Sequence, residues 1–396
     1  MRKTQRTSLE SLVMNALRTV HPMTLLRQGL PPGPCRRAVL LWGKAASSSL
    51  RALGAAEPEL GFAIPCLVIS PEAPSLAGQP PVEWAQGEHP LPGSGSLAAG
   101  ERLIEFFGLL RDQRIERLDV FLSGGASSCA WLPPPRYRSE EGWSELRARL
   151  AALYGRSLSI AELNRRRSSL CALKGGGAAE ALARVAPRVR ACVHVLSDVA
   201  PFGLETVGSG PFVHPRIPLR RLADASDWAA EIARLAELSG EATLFNEIWS
   251  APARDWARRL ERTVREARRN GHAGLLLTAG EAKLGVPPQR AGRGGRLTHL
   301  ASELALALES ELRSGAIEFL CAASDGVDGR SGGAGVRAVR GNLPSRAQLE
   351  KSLARFDTAT PWARAGALRR GGWTGTNVQD VVIVRIHDAG KQLANR

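Results

Sequence analysis

The residues best suited to chemistry stand where short apolar runs give way to small or charged ones. In Asp119–Ser128, DVFLSGGASS, the run Val120-Phe121-Leu122 stops at Ser123-Gly124-Gly125, and hydroxyls follow at Ser127 and Ser128. Glycine lets backbone approach a ligand closely, and the N–H groups that open a helix favour an anion. Phosphate suits this pattern; an ordinary strand-to-helix turn is the plainer reading. Lys44 ends another apolar run and precedes Ala45-Ala46-Ser47-Ser48 in a chain with only six lysines among its 53 Lys and Arg residues. A compact ammonium suits phosphate as well. Lys174 precedes Gly175-Gly176-Gly177 in a similar arrangement. Asp198 follows the run Cys192–Leu196, and a carboxylate there can hold Mg²⁺ or accept a proton. Asp325 and Asp328, in SDGVDG, repeat that logic. Arg293 and Arg296, in GRGGR, suit a bidentate grip on carboxylate or phosphate. Gly375-Thr376-Asn377 offers a hydroxyl and an amide just before the last apolar run.

The elements that must position these groups are legible as alternation. Apolar runs at Ala38–Trp42, Ile64–Ile69, Val120–Leu122, Cys192–Leu196, Leu275–Leu277, Phe319–Ala323 and Val381–Ile386 read as strands. Helical spacing recurs between them, at Leu97–Leu110, Gly142–Leu153, Gly177–Val185, Trp228–Leu238, Trp256–Arg269 and Leu300–Leu312. Short buried strands alternating with helices predict an α/β fold with mainly parallel sheets, in which ligands bind beyond the carboxyl ends of the strands. The 396 residues are enough for two domains, and a boundary is expected near residue 240.

Composition narrows the partners. The net charge is +15, but the arginines that carry it are scattered through helix-like segments and aromatics make up only 5% of the chain. A nucleic-acid surface that stacks bases is not indicated; neither nucleic acid nor membrane is an expected partner. No apolar run approaches a membrane span, and the N-terminus lacks a signal-peptide pattern, so the expected location is cytoplasmic. The six cysteines, Cys35, Cys66, Cys129, Cys171, Cys192 and Cys321, show no C-x₂₋₄-C spacing and read as free thiols; no zinc site is visible. Neither G-x₄-G-K-[ST] nor a helix-opening G-x-G-x-x-G occurs.

The order of motifs resembles the MOFRL-family glycerate 2-kinases, also labelled hydroxypyruvate reductases. WGKAA at 42–46, GEHPLP at 87–92, SGGASS at 123–128, LNRRRSSLCALKGG at 163–176 (with Asn164, Arg167, Leu170 and Lys174 in register), LSDVAPFGLETVGSGP at 196–211, GRGGR at 292–296, SDGVDG at 324–329 and TGTNVQD at 374–380 carry the likeness. The resemblance implies a Rossmann-like N-terminal domain (1–240), a MOFRL-like C-terminal domain (241–396) and an active-site cleft between them. It implies ATP and Mg²⁺ as cofactors and transfer of the γ-phosphoryl to the 2-hydroxyl of D-glycerate or a related small hydroxy acid; a homodimer is left open. On that pattern Lys44 stabilises the moving phosphoryl, and Ser123, Gly124, Gly125 and Ser127 cradle phosphate or the substrate carboxylate. Asp198 orients Mg²⁺ or the attacking hydroxyl and Arg296 clamps an anion, while Asn164, Arg167, Lys174, Arg293, Asp325, Thr374, Thr376 and Asn377 join the binding set.

The chain departs from the family at Ala126, Ser169, Pro201-Phe202, Leu297-Thr298-His299, Gly332 and Trp373. Several acidic groups go with these changes, and Ala126 would be strained were a left-handed backbone needed there. A catalytically weak or inactive paralogue that binds a small anion or nucleotide is therefore the alternative expectation.

Overall fold

The computed structural model describes residues 7–30, 36–60, 63–74, 82–154, 160–199, 203–286 and 292–388. Pro201 and Phe202, like Cys35, lie outside this set; the other five cysteines are free and buried. The chain divides into two compact units that exchange segments. Val20–Asp224 with Gly375–Asn377 forms one, and Met1–Thr19, Ala225–Thr374 and Val378–Arg396 form the other.

The first unit is built on six strands, β1 (Arg37–Trp42), β2 (Cys66–Ser70), β3 (Glu83–Gln86), β4 (Arg117–Ser123), β5 (Arg190–Leu196) and β6 (Leu219–Ala223). They lie in the order β3-β2-β1-β4-β5-β6, and every pairing is parallel. A sheet buried on both faces needs near-continuous apolar strands, and RAVLLW meets that need. Side chains alternate along a strand, so Leu40 and Trp42 enter a core with Leu103, Phe106 and Phe107. Val39 and Leu41 enter a second core with Leu50 and Leu53. In this order the chain reverses its direction of winding between β1 and β4, and a crevice opens at such a switch point beyond the strand ends.

The second unit holds β7 (Thr243–Pro252), β8 (Gly274–Lys283), β9 (Ile317–Ala323), β10 (Gly333–Ala338), β11 (Leu368–Arg370) and β12 (Asp380–Ile386), in the order β11-β10-β9-β12-β8-β7. The expectation of a second mainly parallel sheet is corrected here. Only β7 and β8 run parallel; the other pairings are antiparallel. The reason lies in the connections. Ser324–Gly332 joins β9 to β10, too short for the crossover that a parallel neighbour requires. The core of this unit gathers Leu276, Phe319, Val382 and Val384 with Trp256, Leu260, Leu300 and Leu304. The N-terminal helix Leu9–Leu17 packs on helix Ala225–Leu238, whose Trp228 indole donates to Val13 O at 3.2 Å. Buried Arg385 pairs with Glu241 and Glu318 and donates to Thr7 O at 2.7 Å, which fastens the chain's start to its last strand. Among the described residues no helix is long and apolar enough to cross a membrane.

Candidate active site

The tips of β1 and β4 are stitched together at the switch point. Gly43 has φ +119°, and a Cβ on it would stand 2.5 Å from Ser123 O; only glycine permits this contact. The Lys44 N–H donates to Gly124 O at 2.9 Å, and the Ala45 N–H donates to the Ser123 hydroxyl at 3.0 Å. Ser123 is buried and serves as the staple of the two loops. Gly125 takes φ +84°, and a Cβ there would meet Lys44 Cγ at 2.8 Å and His89 Cδ2 at 3.3 Å. The lysine stem thus runs through space that only a bare backbone leaves open.

Ala126 is not strained. The left-handed residue is Gly125, while Ala126 opens the single helical turn Ala126–Cys129 with its methyl facing Gly208. A helix of one turn carries little macrodipole, so the anion preference read from the sequence falls to individual groups of the loop and to Lys44.

Asp198 stands just past the end of β5. Its Oδ2 accepts from the Asn377 amide at 3.0 Å. Asn377 arrives on the inserted segment Gly375–Asn377, held by the Ser48 hydroxyl donating to Gly375 O and by the Thr376 hydroxyl donating to Val20 O at 2.8 Å. Thr376 is therefore an anchor, and Asn377 is the member of that segment that reaches the site.

Lys174 lies one layer deeper. It is 4% exposed, donates to Ser127 O at 2.5 Å, and places Nζ 5.1 Å from the Trp131 ring and 5.9 Å from the Trp42 ring. Burial pushes its pKa down to about 8. Its position supports the loop from beneath. Asn164 accepts from the Ser209 hydroxyl at 2.9 Å and so pins the turn whose carbonyls, Ser209 O and Gly210 O, receive the N–H groups of Gly175 and Gly176. Arg167 is buried, with its pKa lowered to about 10 by desolvation. Ser169, by contrast, is exposed, and its hydroxyl donates to Arg166 O in the preceding helix.

The remaining motif residues surround the loop Ser324–Gly332 in the second unit. Arg296 pairs with Glu281 and, at 3.5 Å, with Asp380. Arg293 donates from Nε to Ser331 O at 3.0 Å, and its guanidinium faces Gly332. Asp325 accepts from the Val327 N–H, and the Thr374 hydroxyl donates to Ser324 O. Asp328 accepts from the N–H groups of Leu297 and Thr298, both at 2.9 Å, and so caps the helix Arg296–Ala307. Burial raises the Asp328 pKa while these hydrogen bonds pull it back. His299 stacks on Phe356 with centroids 5.6 Å apart, and burial lowers its pKa to about 4. Trp373 is exposed.

Lys44, Ser123–Gly125, Asp198 and Asn377 thus converge in the first unit, with Lys174 and Asn164 as their support and Arg167 buried near Lys174; Arg293, Arg296, Asp325 and Thr374 form another group in the second. His89 was not among the expected site residues, although its GEHPLP motif could have signalled it. Glu88 explains its placement: the carboxylate accepts from the N–H groups of Gly93, Gly95 and Ser96 and from the Ser96 hydroxyl, all at the start of helix Ser94–Asp112. Burial works against its charge, but these donors hold its pKa below the usual value.

A parallel sheet with glycine-rich loops at its switch point, followed by a unit with a mixed sheet, defines a two-unit protein of the α/β class. A family profile described as a domain of unknown function, DUF4147, matches residues 8–236, and the MOFRL family profile matches residues 274–380. The chain belongs to this DUF4147–MOFRL family, and relatives that it resembles bear the names D-glycerate 2-kinase and hydroxypyruvate reductase. It is 25% identical over 424 residues to a protein provisionally named hydroxypyruvate reductase from Agrobacterium vitis, with 94% of this chain and 92% of that protein covered. It is 27% identical over 422 residues to D-glycerate 2-kinase of Thermotoga maritima, with 94% and 96% covered. The fold is similar to the crystal structure of a Thermotoga maritima glycerate kinase, with a TM-score of 0.77 at 24% identity and coverage of 95% of this chain and 98% of that one.

Proposed function

We propose that the protein is a glycerate kinase that uses ATP to phosphorylate the 2-hydroxyl of D-glycerate, giving 2-phosphoglycerate. The observation that carries this reading is the convergence of Lys44, the Ser123–Gly125 loop and Asp198 beyond the carboxyl ends of β1, β4 and β5. Phosphoryl transfer asks mainly for positioning and charge stabilisation, and these groups supply both. The Lys44 ammonium offsets the charge that builds on the phosphoryl oxygens. The glycine loop lets anionic oxygens reach backbone. Asp198, oriented by Asn377, accepts from the 2-hydroxyl or takes a place beside the metal.

The donor set fits Mg²⁺. This ion keeps most of its water and binds proteins through one or two carboxylates together with substrate phosphates, and Asp198 is a partly exposed carboxylate at a strand tip. Glu88 is unsuited, because its oxygens are committed to the helix start. When bound, the ion neutralises phosphate charge. Arg296, paired with Glu281 and Asp380, carries no step in this proposal. The test is to incubate the purified protein with Mg-ATP and D-glycerate and to follow ADP and 2-phosphoglycerate together. Both products should accumulate in equal amounts. Glycerate binding without ADP release would instead support a non-catalytic anion-binding paralogue.

A further inference from the structure

The first sheet brings together three groups that no local motif connects. Asp119 sits in β4, and the strand register sets it beside Cys192 of β5. His194 lies two residues further along β5 and therefore on the same face. One ligand atom from each of the three lies within 4.8 Å of the others, and all three side chains are buried. His194 Nε2 is 3.2 Å from Asp119 Oδ1. For metal–ligand distances of about 2.0–2.2 Å, two ligands of a tetrahedral ion stand roughly 3.3–3.6 Å apart; the His194–Asp119 pair is close to that spacing, and Cys192 needs only a small approach to join it. A second observation points the same way. Arg117 occupies Oδ1 of Asp119 at 2.8 Å, but Oδ2, on a side chain with no exposed surface, has no hydrogen-bond partner among the described residues. A buried carboxylate oxygen left without a donor or cation is costly.

We propose that Asp119, Cys192 and His194 form a binding site for one divalent cation of the zinc class that fastens β4 to β5. The nitrogen, sulfur and oxygen set selects a borderline ion over Mg²⁺, which takes oxygen ligands. Arg117 acts as the outer partner that orients the carboxylate. The fourth position is left to a water molecule. On binding, the Cys192 S–H bond breaks, the sulfur–metal bond forms, and the proton leaves to solvent. The ion sets the spacing of two strands that continue into the Ser123–Gly125 loop and Asp198. The proposal does not depend on the kinase reading.

The test is a titration of metal-stripped full-length protein with Co²⁺. The expected result is one equivalent bound, with a thiolate-to-cobalt charge-transfer band and the visible bands of a tetrahedral ion, both abolished by Zn²⁺. Cys192→Ser should lose the charge-transfer band, and His194→Gln should weaken binding by at least about tenfold, the smallest loss typical of a site partner. Zn²⁺ should raise the melting temperature of the wild type and leave that of Cys192→Ser unchanged. If the variants do not fold, the wild-type spectrum decides alone. Absence of a thiolate band in the wild type overturns the site, as does a band that persists in Cys192→Ser.

Discussion

The α-carbon of Gly124 lies against the carboxylate of Asp198. A methyl built on it would stand 1.9 Å from Oδ2 and 2.2 Å from the Asn377 amide nitrogen. Glycine is required here by close approach; its φ lies outside the left-handed region. Gly124→Ala should therefore displace Asp198 while the sheet stays folded. A displacement on the ångström scale costs about 100-fold in turnover. Coupled ADP release should show that loss alongside a nearly unchanged melting temperature, and wild-type turnover would remove Asp198 from the mechanism.

Lys44 reaches the site along Gly125. Its replacement by Ala should lower kcat by about 100- to 1000-fold, the range seen when one group that stabilises developing charge is removed. Lys44→Arg should recover little, since a planar fork cannot follow the same narrow path. Steady-state kinetics of the two variants at saturating ATP checks this.

Asn377 donates to Asp198. Asn377→Asp would set two carboxylates about a hydrogen bond apart, which favours protonation of one of them. Its activity should fall below that of Asn377→Ala near neutral pH, and the gap should narrow as pH rises and both groups ionise. The pH profiles of the two variants provide the measurement.

Lys174 makes stability depend on alkaline pH in a specific direction. Its pKa is about 8 in the folded protein against an ordinary 10.5, so between those values the unfolded chain holds the extra proton. Stability therefore rises with pH through that window. The cost of burying the charge is present in full below pH 8. Lys174→Met removes this term, so the stability of wild type minus that of the variant should climb between pH 8 and 10.5. Denaturant melts at several pH values read it directly, and a flat difference would mean that Lys174 is not buried as described.

Asp328→Ala should leave the Leu297 and Thr298 N–H groups without their acceptor. The expected cost is about 2–3 kcal/mol of stability, with kcat of the folded protein little changed. Equilibrium unfolding and kinetics on the same sample separate the two effects; a large kcat loss with intact stability would make Asp328 part of the chemistry.

The strands that stand out in the sequence are those buried on both faces, such as RAVLLW and VVIVRI. Those that do not are mostly the sheet edges Glu83–Gln86, Leu219–Ala223, Thr243–Pro252 and Leu368–Arg370, whose residues are largely half-exposed. An edge strand needs no continuous apolar run, so periodicity cannot reveal it. Gly333–Ala338 is interior but starts Gly-Ala-Gly, a weak strand signal. In the site, glycine turns and scarce lysines were legible. What each polar group is committed to was not. Ser123 holds Ala45, Thr376 holds Val20 and Lys174 holds Ser127, and each of these partners is remote in sequence. The cluster of Asp119 with Cys192 and His194 was hidden for the same reason.

The exchange of segments also sets an order of assembly on the ribosome. Gly375–Asn377 completes the first unit through Ser48, Val20 and Asp198, groups separated from it by 327, 356 and 179 residues. The opening helix, conversely, waits for Trp228 and the last strand. A nascent chain that has released all of Val20–Asp224 can form its parallel sheet, but Asp198 still lacks the Asn377 amide. Domains usually finish in the order they emerge; here the first unit needs Gly375–Asn377 and the second needs the strand Asp380–Ile386, so neither can finish before these residues emerge. The candidate active site is thus withheld from any nascent chain that has not yet released Asn377.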